Sequence, residues 1–322
     1  MNKVKHYVGI DISKDTFDVF DNLNGHHLFS NDLKGFKSFI KVLKGSSCCV
    51  MEATGCYHQR LAVYLFDNKI SVAVLNPLVI KRYTQMKLHH TKTDKSDAQM
   101  ICHYAQEQSV SLWQPEPAYI NQCNMLQSAV GLYFKQSTAI KNKLHSLESR
   151  GLETGILVRS LKRQLKQLNT EIEILENKME ELIKEYNQQM YSNIRSIPGV
   201  GKKTALLLIA STNGFKSFEN HRQLSAFFGL APTERTSGTS IKGRSRISKA
   251  GNPKIRNNLF LCSFTACKSN PQCSALYNRL VAKGKSKKLA LIAVTNKLLK
   301  QAFAIAKSGI CYDKNYRSML TN

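Results

Sequence analysis

Four carboxylates stand where apolar runs end or a helix begins, and their spacing suits metal-assisted chemistry on phosphate. Asp11 lies near the end of "HYVGIDIS" (6–13), Glu52 ends the apolar part of "SCCVMEATG" (47–55), and Asp94 and Asp97 open "TKTDKSDAQMICHYAQ" (91–106). The first two runs read as strands that could lie side by side. Asp94 and Asp97, three apart at a helix start, share a face. Converging carboxylates offer only oxygen, which suits Mg²⁺ or Mn²⁺. Two such ions can clamp the attacking and leaving oxygens of an in-line phosphoryl transfer. The plainer reading is that Asp94 caps its helix, Asp97 complements the helix dipole, and Glu52 is a turn carboxylate.

A second stretch, "TSGTSIKGRSRISKAGNPKIR" (236–256), holds four serines, three glycines and no acidic residue. Asn252-Pro253 marks a helix start, so the segment before it reads as a long loop feeding a helix N-terminus, a favourable place for phosphate. Arg244, Arg246, Lys249 and Arg256 can hold non-bridging oxygens, the arginines bidentately. Ser237, Ser240, Ser245 and Ser248 compete as nucleophile. Ser248 sits near the helix as a loop cap, Ser240 and Ser245 have bulkier neighbours, and Ser237 has Gly238 beside it, which leaves room for a phosphorus centre.

The elements around these residues follow from patterning. Strands "TFDVFD" and "HHLFSND" flank Asn24-Gly25, a hairpin signal. Helical spacing follows to Gly45, then a strand ending at Glu52, a helix near 57–68, the strand "ISVAVLNP" and another helix. This is an α/β order with a mixed sheet. Leu161, Leu165, Leu168, Ile172, Leu175, Met179 and Leu182 recur at helical steps and describe either a coiled-coil dimerisation seam or one helix packed on its own domain. "NIRSIPGVGKKTALLLIAST" resembles a helix-hairpin-helix that grips a phosphate backbone, with Lys202 and Lys203 adding charge; an ordinary helical turn is the alternative. Lys283, Lys285, Lys287 and Lys288 form a basic run that either touches nucleic acid or is a solvated face.

The 322 residues allow more than one domain. The net charge is +25, and residues 194–322 carry 23 Lys or Arg against only Glu219, Glu234 and Asp313, so a polyanion partner is expected. No apolar run reads as a membrane span or signal peptide, which predicts a cytoplasmic protein without a membrane partner. The nine cysteines lack paired ligand spacing and read as core thiols, not as a zinc site.

"GIDISKDTFDV", "MEATGCYH", "NPLVIKRY" and "TKTDKSDAQ" resemble the DEDD-type insertion-sequence transposases, related to Piv-type DNA invertases. "FFGLAPTERTSGTSIKGRSRISKAGNPKIRNNL" resembles the C-terminal transposase domain of the same family. The resemblance covers nearly the whole chain. It implies a ribonuclease H-like (RuvC-like) α/β domain at 1–112, a helical coiled-coil oligomerisation region at 113–190, and a mostly α-helical, basic C-terminal domain at 191–322. It also implies that Asp11, Glu52, Asp94 and Asp97 hold Mg²⁺ and that Ser237 attacks a DNA phosphate, forming a phosphoserine link. The family's partners would be target and donor DNA, a non-coding bridge RNA that pairs with both, and further copies of the chain as a dimer or dimer of dimers. Lys202, Lys203, Lys242, Arg244, Arg246, Lys249, Lys254, Arg256, Lys285, Lys287 and Lys288 are the expected nucleic-acid contacts. Two rival readings are a metal-dependent nuclease of junction-resolvase type and a non-catalytic nucleic-acid-binding protein.

Overall fold

The computed structural model describes residues 6–88, 93–233 and 246–315, and the backbone at 236–237 and 241–242. The chain forms two compact units that divide after Pro115.

In the first unit β1 (His6–Ile12), β2 (Thr16–Asp21) and β3 (Gly25–Ser30) form an antiparallel meander. The second turn closes at Gly25, whose φ of +76° favours glycine, and the Asp21 carboxylate accepts from the Leu23 and Asn24 amides at 2.7 and 2.6 Å. Helix α1 (Leu33–Val42) leads to β4 (Ser47–Glu52), which lies parallel to β1. Helix α2 (His58–Asp67) leads to β5 (Ser71–Leu75), parallel to β4. The five strands run in the order β3-β2-β1-β4-β5. Phe17, Phe36, Phe39, Leu61 and Leu65 bury one face. Val50, Ala73, Ile80, Ile101 and Ala105 bury the other, under α3 (Pro77–Met86) and α4 (Asp94–Glu107). This mixed sheet, covered by helices, fits an α/β ribonuclease H-like domain. Trp113 belongs to this unit as well: its amide donates to the Val72 carbonyl and its ring meets Phe66 edge-on.

The second unit is mainly helical. Helices α5 (Ala118–Glu148) and α6 (Ile156–Arg195) pack on each other. Ile172 and Met179 of the leucine-type seam are buried, and Ser137 on α5 hydrogen-bonds Asn169 on α6 at 3.4 Å. Thus the seam is used at least in part within the chain. Helix α6 kinks at Asn187, whose side chain accepts from the Met190 amide. Beyond the kink, Tyr191 and Ile194 join one core with α7 (Lys202–Ser211), α8 (His221–Phe227), α9 (Pro253–Ser269), α10 (Pro271–Ala282) and α11 (Lys287–Ser308).

Between α8 and α9 the expected long loop is a ribbon of two nested antiparallel pairs. β6 (Pro232–Thr233) pairs with β9 (Arg246–Ile247), and inside them β7 (Thr236–Ser237) pairs with β8 (Ile241–Lys242). No Asn-Gly or Asp-Gly pair announces it, which is why the sequence reads as loop. A second difference concerns α11. By length and composition it would suffice to cross a membrane, contrary to the expectation from apolar runs. Here Val294, Leu298, Leu299, Ala302 and Ile305 of this helix fill the unit's core, and Ala290 and Leu291 are buried as well.

Candidate active site and nucleic-acid interface

The sheet register sets two of the four carboxylates beside each other. The parallel β1–β4 ladder pairs Ile10 with Met51, and the next residue on each strand is Asp11 and Glu52. The other two come from α4, and a glycine lets that helix in. A Cβ at Gly9 would collide with the Ala98 carbonyl and the Cys102 amide, so only glycine allows α4 to lie directly on β1. The helix begins at Thr93. Its hydroxyl accepts from the Ser96 amide at 3.2 Å, and the Ser96 hydroxyl accepts from the Thr93 amide at 3.0 Å, a reciprocal capping box. Thr93 therefore does the capping that the plainer sequence reading gave to Asp94. Asp94 and Asp97 stand in the first turn behind it.

The Asp11 carboxyl senses its surroundings. Burial pushes the Asp11 carboxyl up to about 7, and the charges of Asp97, Asp94 and Glu52, in that order, push the same way. Among the described residues no group of His, Cys, Asp or Glu closes into a finished metal cage. The donor set still fits a hard divalent cation. It is all oxygen, and such a cation would favour the ionised form of the Asp11 carboxyl that burial and its neighbours oppose.

Ser237 lies on β7, paired with Ile241 across the inner rungs of the ribbon. Two interlocked glycines fix the ribbon's base. A Cβ at Gly229 would strike the Ala250 carbonyl, and one at Gly251 would strike the Phe227 carbonyl; both have positive φ. The ribbon is thus clamped to the end of α8. Asn252 then starts α9, its side chain accepting from the Lys254 amide at 2.9 Å, as the Asn-Pro pair predicts.

The expected phosphate-binding cations fall into distinct groups. Arg256 donates to the Phe228 and Gly251 carbonyls at 3.0 and 3.1 Å and so braces the ribbon base. The Lys254 ammonium occupies the space beside Gly131 of α5. Lys202 pairs with Glu180 and Asn177, and Lys203 pairs with Glu176 while lying 3.5 Å from the centre of the Phe134 ring. Gly199, in the helix-hairpin-helix-like turn, makes room for Ala266 of α9. Arg246 and Lys249 are exposed on the ribbon, and Lys285, Lys287 and Lys288 are exposed at the α10–α11 turn. Lys242 is on β8, and Arg244 lies outside the described residues. Sequence reasoning missed Gly9, although a glycine inside an apolar strand is a signal of close backbone approach.

Carboxylates at adjacent strand ends and a helix start, joined to a basic helical unit, point to a DNA-rearranging enzyme, and the comparison with known families agrees. Residues 8–148 match the DEDD transposase domain of IS110 elements. Residues 191–278 match a second domain, described as "Transposase IS116/IS110/IS902 family". Over 324 residues the chain is 30% identical to the pilin gene-inverting protein of Moraxella bovis, covering 96% of this chain and 98% of that protein. The pilin gene-inverting protein of Moraxella lacunata is also 30% identical, over 96% and 98% of the two chains. The transposase for insertion sequence element IS1111A of Coxiella burnetii is 28% identical over 77% of this chain and 74% of its own. The chain belongs to the IS110 family of transposases.

Proposed function

We propose that this protein is an RNA-guided DNA recombinase of an insertion sequence, cutting and rejoining DNA through a phosphoserine intermediate. The observation that supports it most is the placement of Asp11 and Glu52 at adjacent strand ends with Asp94 and Asp97 in the first turn of the helix on β1, where burial and then the three neighbouring charges push the Asp11 carboxyl up, in a chain of this family. In this reading residues 1–112 carry the carboxylates, 113–190 the helices through which copies assemble, and 191–322 the nucleophile and the cations.

Mg²⁺ or Mn²⁺ held by the four carboxylates would supply positive charge to the oxygens of the scissile phosphate. Ser237 makes the covalent bond: its Oγ–P bond forms as the P–O bond to the deoxyribose breaks. The phosphodiester energy is kept in the link, so a freed hydroxyl can attack it and reseal the strand without a nucleotide triphosphate. Arg246 and Lys249, on the same ribbon as Ser237, would hold the non-bridging oxygens. Serine and carboxylates can come from different protomers, which makes a dimer or dimer of dimers the working form.

Sequence choice must come from elsewhere than backbone contacts, because cations on phosphate carry no sequence information. A bound bridge RNA pairing with target and donor DNA would supply it. The test is incubation of purified protein with two plasmids, RNA and Mg²⁺, followed by a denaturing gel. A protein–DNA adduct that leads to joined plasmids, redirected by altered guide loops, is the expected result. Free nicks without adduct would identify a nuclease, and no change in the DNA would leave a binding protein. Full site specificity after nuclease removal of the RNA would overturn guidance.

A further inference from the structure

Helices α10 and α11 lie antiparallel across a short turn and leave a groove between them, a hollow of about 330 Å³ lined by Gln272, Ala275, Leu276, Arg279 and Lys297. The α10 residues stand at steps of three and four, so they form one stripe along the helix. Behind the groove the floor is fixed by amides. Gln301 of α11 donates to Gln272 at 2.9 Å and accepts from Asn270 at 3.0 Å, and Asn270 accepts from the Tyr312 hydroxyl at 3.1 Å. This network holds the two helices at a set spacing, so the groove is a built feature of the unit.

Its charge is one-sided. Helices α9, α10 and α11 contain no Asp or Glu. Among the described residues, no ion pair includes Arg279 or Lys297. Lys297 is half-buried, next to the buried Leu298 and Leu299. Its charge reaches inward far enough to oppose the upward push of burial on the Cys273 thiol. With no carboxylate in the groove, an anion that enters it meets both positive charges and no competing partner.

We infer that this groove binds a backbone phosphate of nucleic acid through Arg279 and Lys297. The two cations stand on facing walls and can hold different oxygens of one phosphodiester, the guanidinium bidentately. The Gln272 amide adds a polar group at the same wall. The groove also gives a direction to the lysines at the turn. Lys287 lies ten residues before Lys297 on α11, or roughly 15 Å along the helix, so turn and groove together make a track several phosphates long. This proposal rests on the reading of the chain as a nucleic-acid enzyme and adds a contact that neither the family matches nor charge counting assigned.

The test uses the full chain and fluorescence anisotropy with a labelled 30-base-pair DNA duplex and, separately, a labelled RNA hairpin, over a series of KCl concentrations. Each lost phosphate contact should lower the slope of log K against log salt by about 0.9. Arg279→Gln with Lys297→Gln, which strips both cations from one phosphate, should lower it by about 0.9 and weaken binding roughly tenfold at moderate salt. Arg279→Gln alone, at an exposed side chain, should lower it by roughly half as much, while Arg279→Lys should keep most of it. Lys37→Gln with Lys41→Gln on α1 removes the same charge elsewhere and should leave the slope unchanged. A loss with DNA only, or RNA only, assigns the groove to that partner; loss with both assigns it to the shared backbone. A wild-type slope in Arg279→Gln and in the double variant, or an equal loss in the α1 control, overturns the proposal and leaves the function reading standing. A wild-type protein that binds neither probe overturns the function reading instead.

Discussion

The acidic cluster of the first unit and the basic surfaces of the second are built in opposite ways. Asp11 and Glu52 are placed by a parallel ladder, and Asp94 and Asp97 by a helix that a single glycine admits. That placement rests on strand register, one close glycine contact and a helix cap, and burial together with the neighbouring carboxylates pushes the Asp11 carboxyl up to about 7. In the second unit the charges are on long side chains, and the fold has taken several for its own use. Arg256 braces carbonyls, and Lys202 and Lys203 are paired with α6. A carboxyl pushed up by burial and by neighbouring carboxylates marks where a cation would fit, whereas a surplus of charge does not show which cations are available to a ligand.

Breaking the serine should have the largest effect. Ser237→Ala removes the proposed nucleophile and no charge. Strand exchange should fall by roughly a thousandfold or more, with DNA and RNA affinities within about twofold of the native protein. Recombination at the native rate in a plasmid assay would remove Ser237 from the mechanism.

Asp11→Asn sharpens the comparison because it should move activity and stability in opposite directions. Recombination and Mn²⁺ affinity by calorimetry should both drop. Yet Asp11's folded pKa of about 7 lies above its ordinary value of 3.8. In the unfolded chain the carboxyl ionises near the lower value, so its cost to the fold grows as pH rises from about 4 to 7 and is complete above that. In EDTA at pH 8, Asp11→Asn should therefore be more stable than the native protein, by about 1–2 kcal/mol after allowance for solvent screening. The gain should vanish near pH 4. Equal stability at both pH values would mean that neither burial nor the neighbouring carboxylates press on Asp11.

The cations separate by readout. Arg256→Ala leaves the Phe228 and Gly251 carbonyls without their donor and should cost about 1–3 kcal/mol, seen in urea unfolding. Lys287→Gln with Lys288→Gln, at exposed positions, should change stability by less than about 0.5 kcal/mol and lower the salt slope of DNA binding by about 2. Reversed outcomes would show that bracing and binding are assigned to the wrong residues.

How far the sequence could be read follows the same division. The α/β order, the Asn24-Gly25 turn and the Asn252-Pro253 helix start were legible because each is a local signal of a few residues. The convergence of Asp94 and Asp97 on Asp11 was legible only as a possibility, since it depends on Gly9 meeting Ala98, 89 positions away. The Thr93–Ser96 capping box is masked in the sequence by Asp94, which is itself a good cap type. The ribbon carrying Ser237 was hidden because its strands are two residues long, too short for any alternation. Which lysines are paired within the chain could not be read at all. Lys202 meets Glu180 and Lys203 meets Glu176 across a turn whose geometry depends on Gly199 lying against Ala266.

The smallest expected effect tests that pairing directly. Glu180 accepts from Lys184, Lys202 and the Tyr191 hydroxyl, and these hold its carboxyl down at about 2, below the ordinary 4.5. A lowered carboxylate stabilises the fold above its unfolded value, and that contribution is lost as pH falls through the folded one. The window is thus pH 4.5 to about 2. Across it, thermal unfolding of the native protein should lose a contribution that Glu180→Gln never has, and the two curves should converge at the acid end. Because the pair is near solvent, the difference at neutral pH should be under about 1 kcal/mol, and it should shrink in high salt. If Glu180→Gln instead leaves the acid limb unchanged while raising the salt slope of DNA binding, Lys202 is released by the loss of its partner and belongs with the cations that hold phosphate.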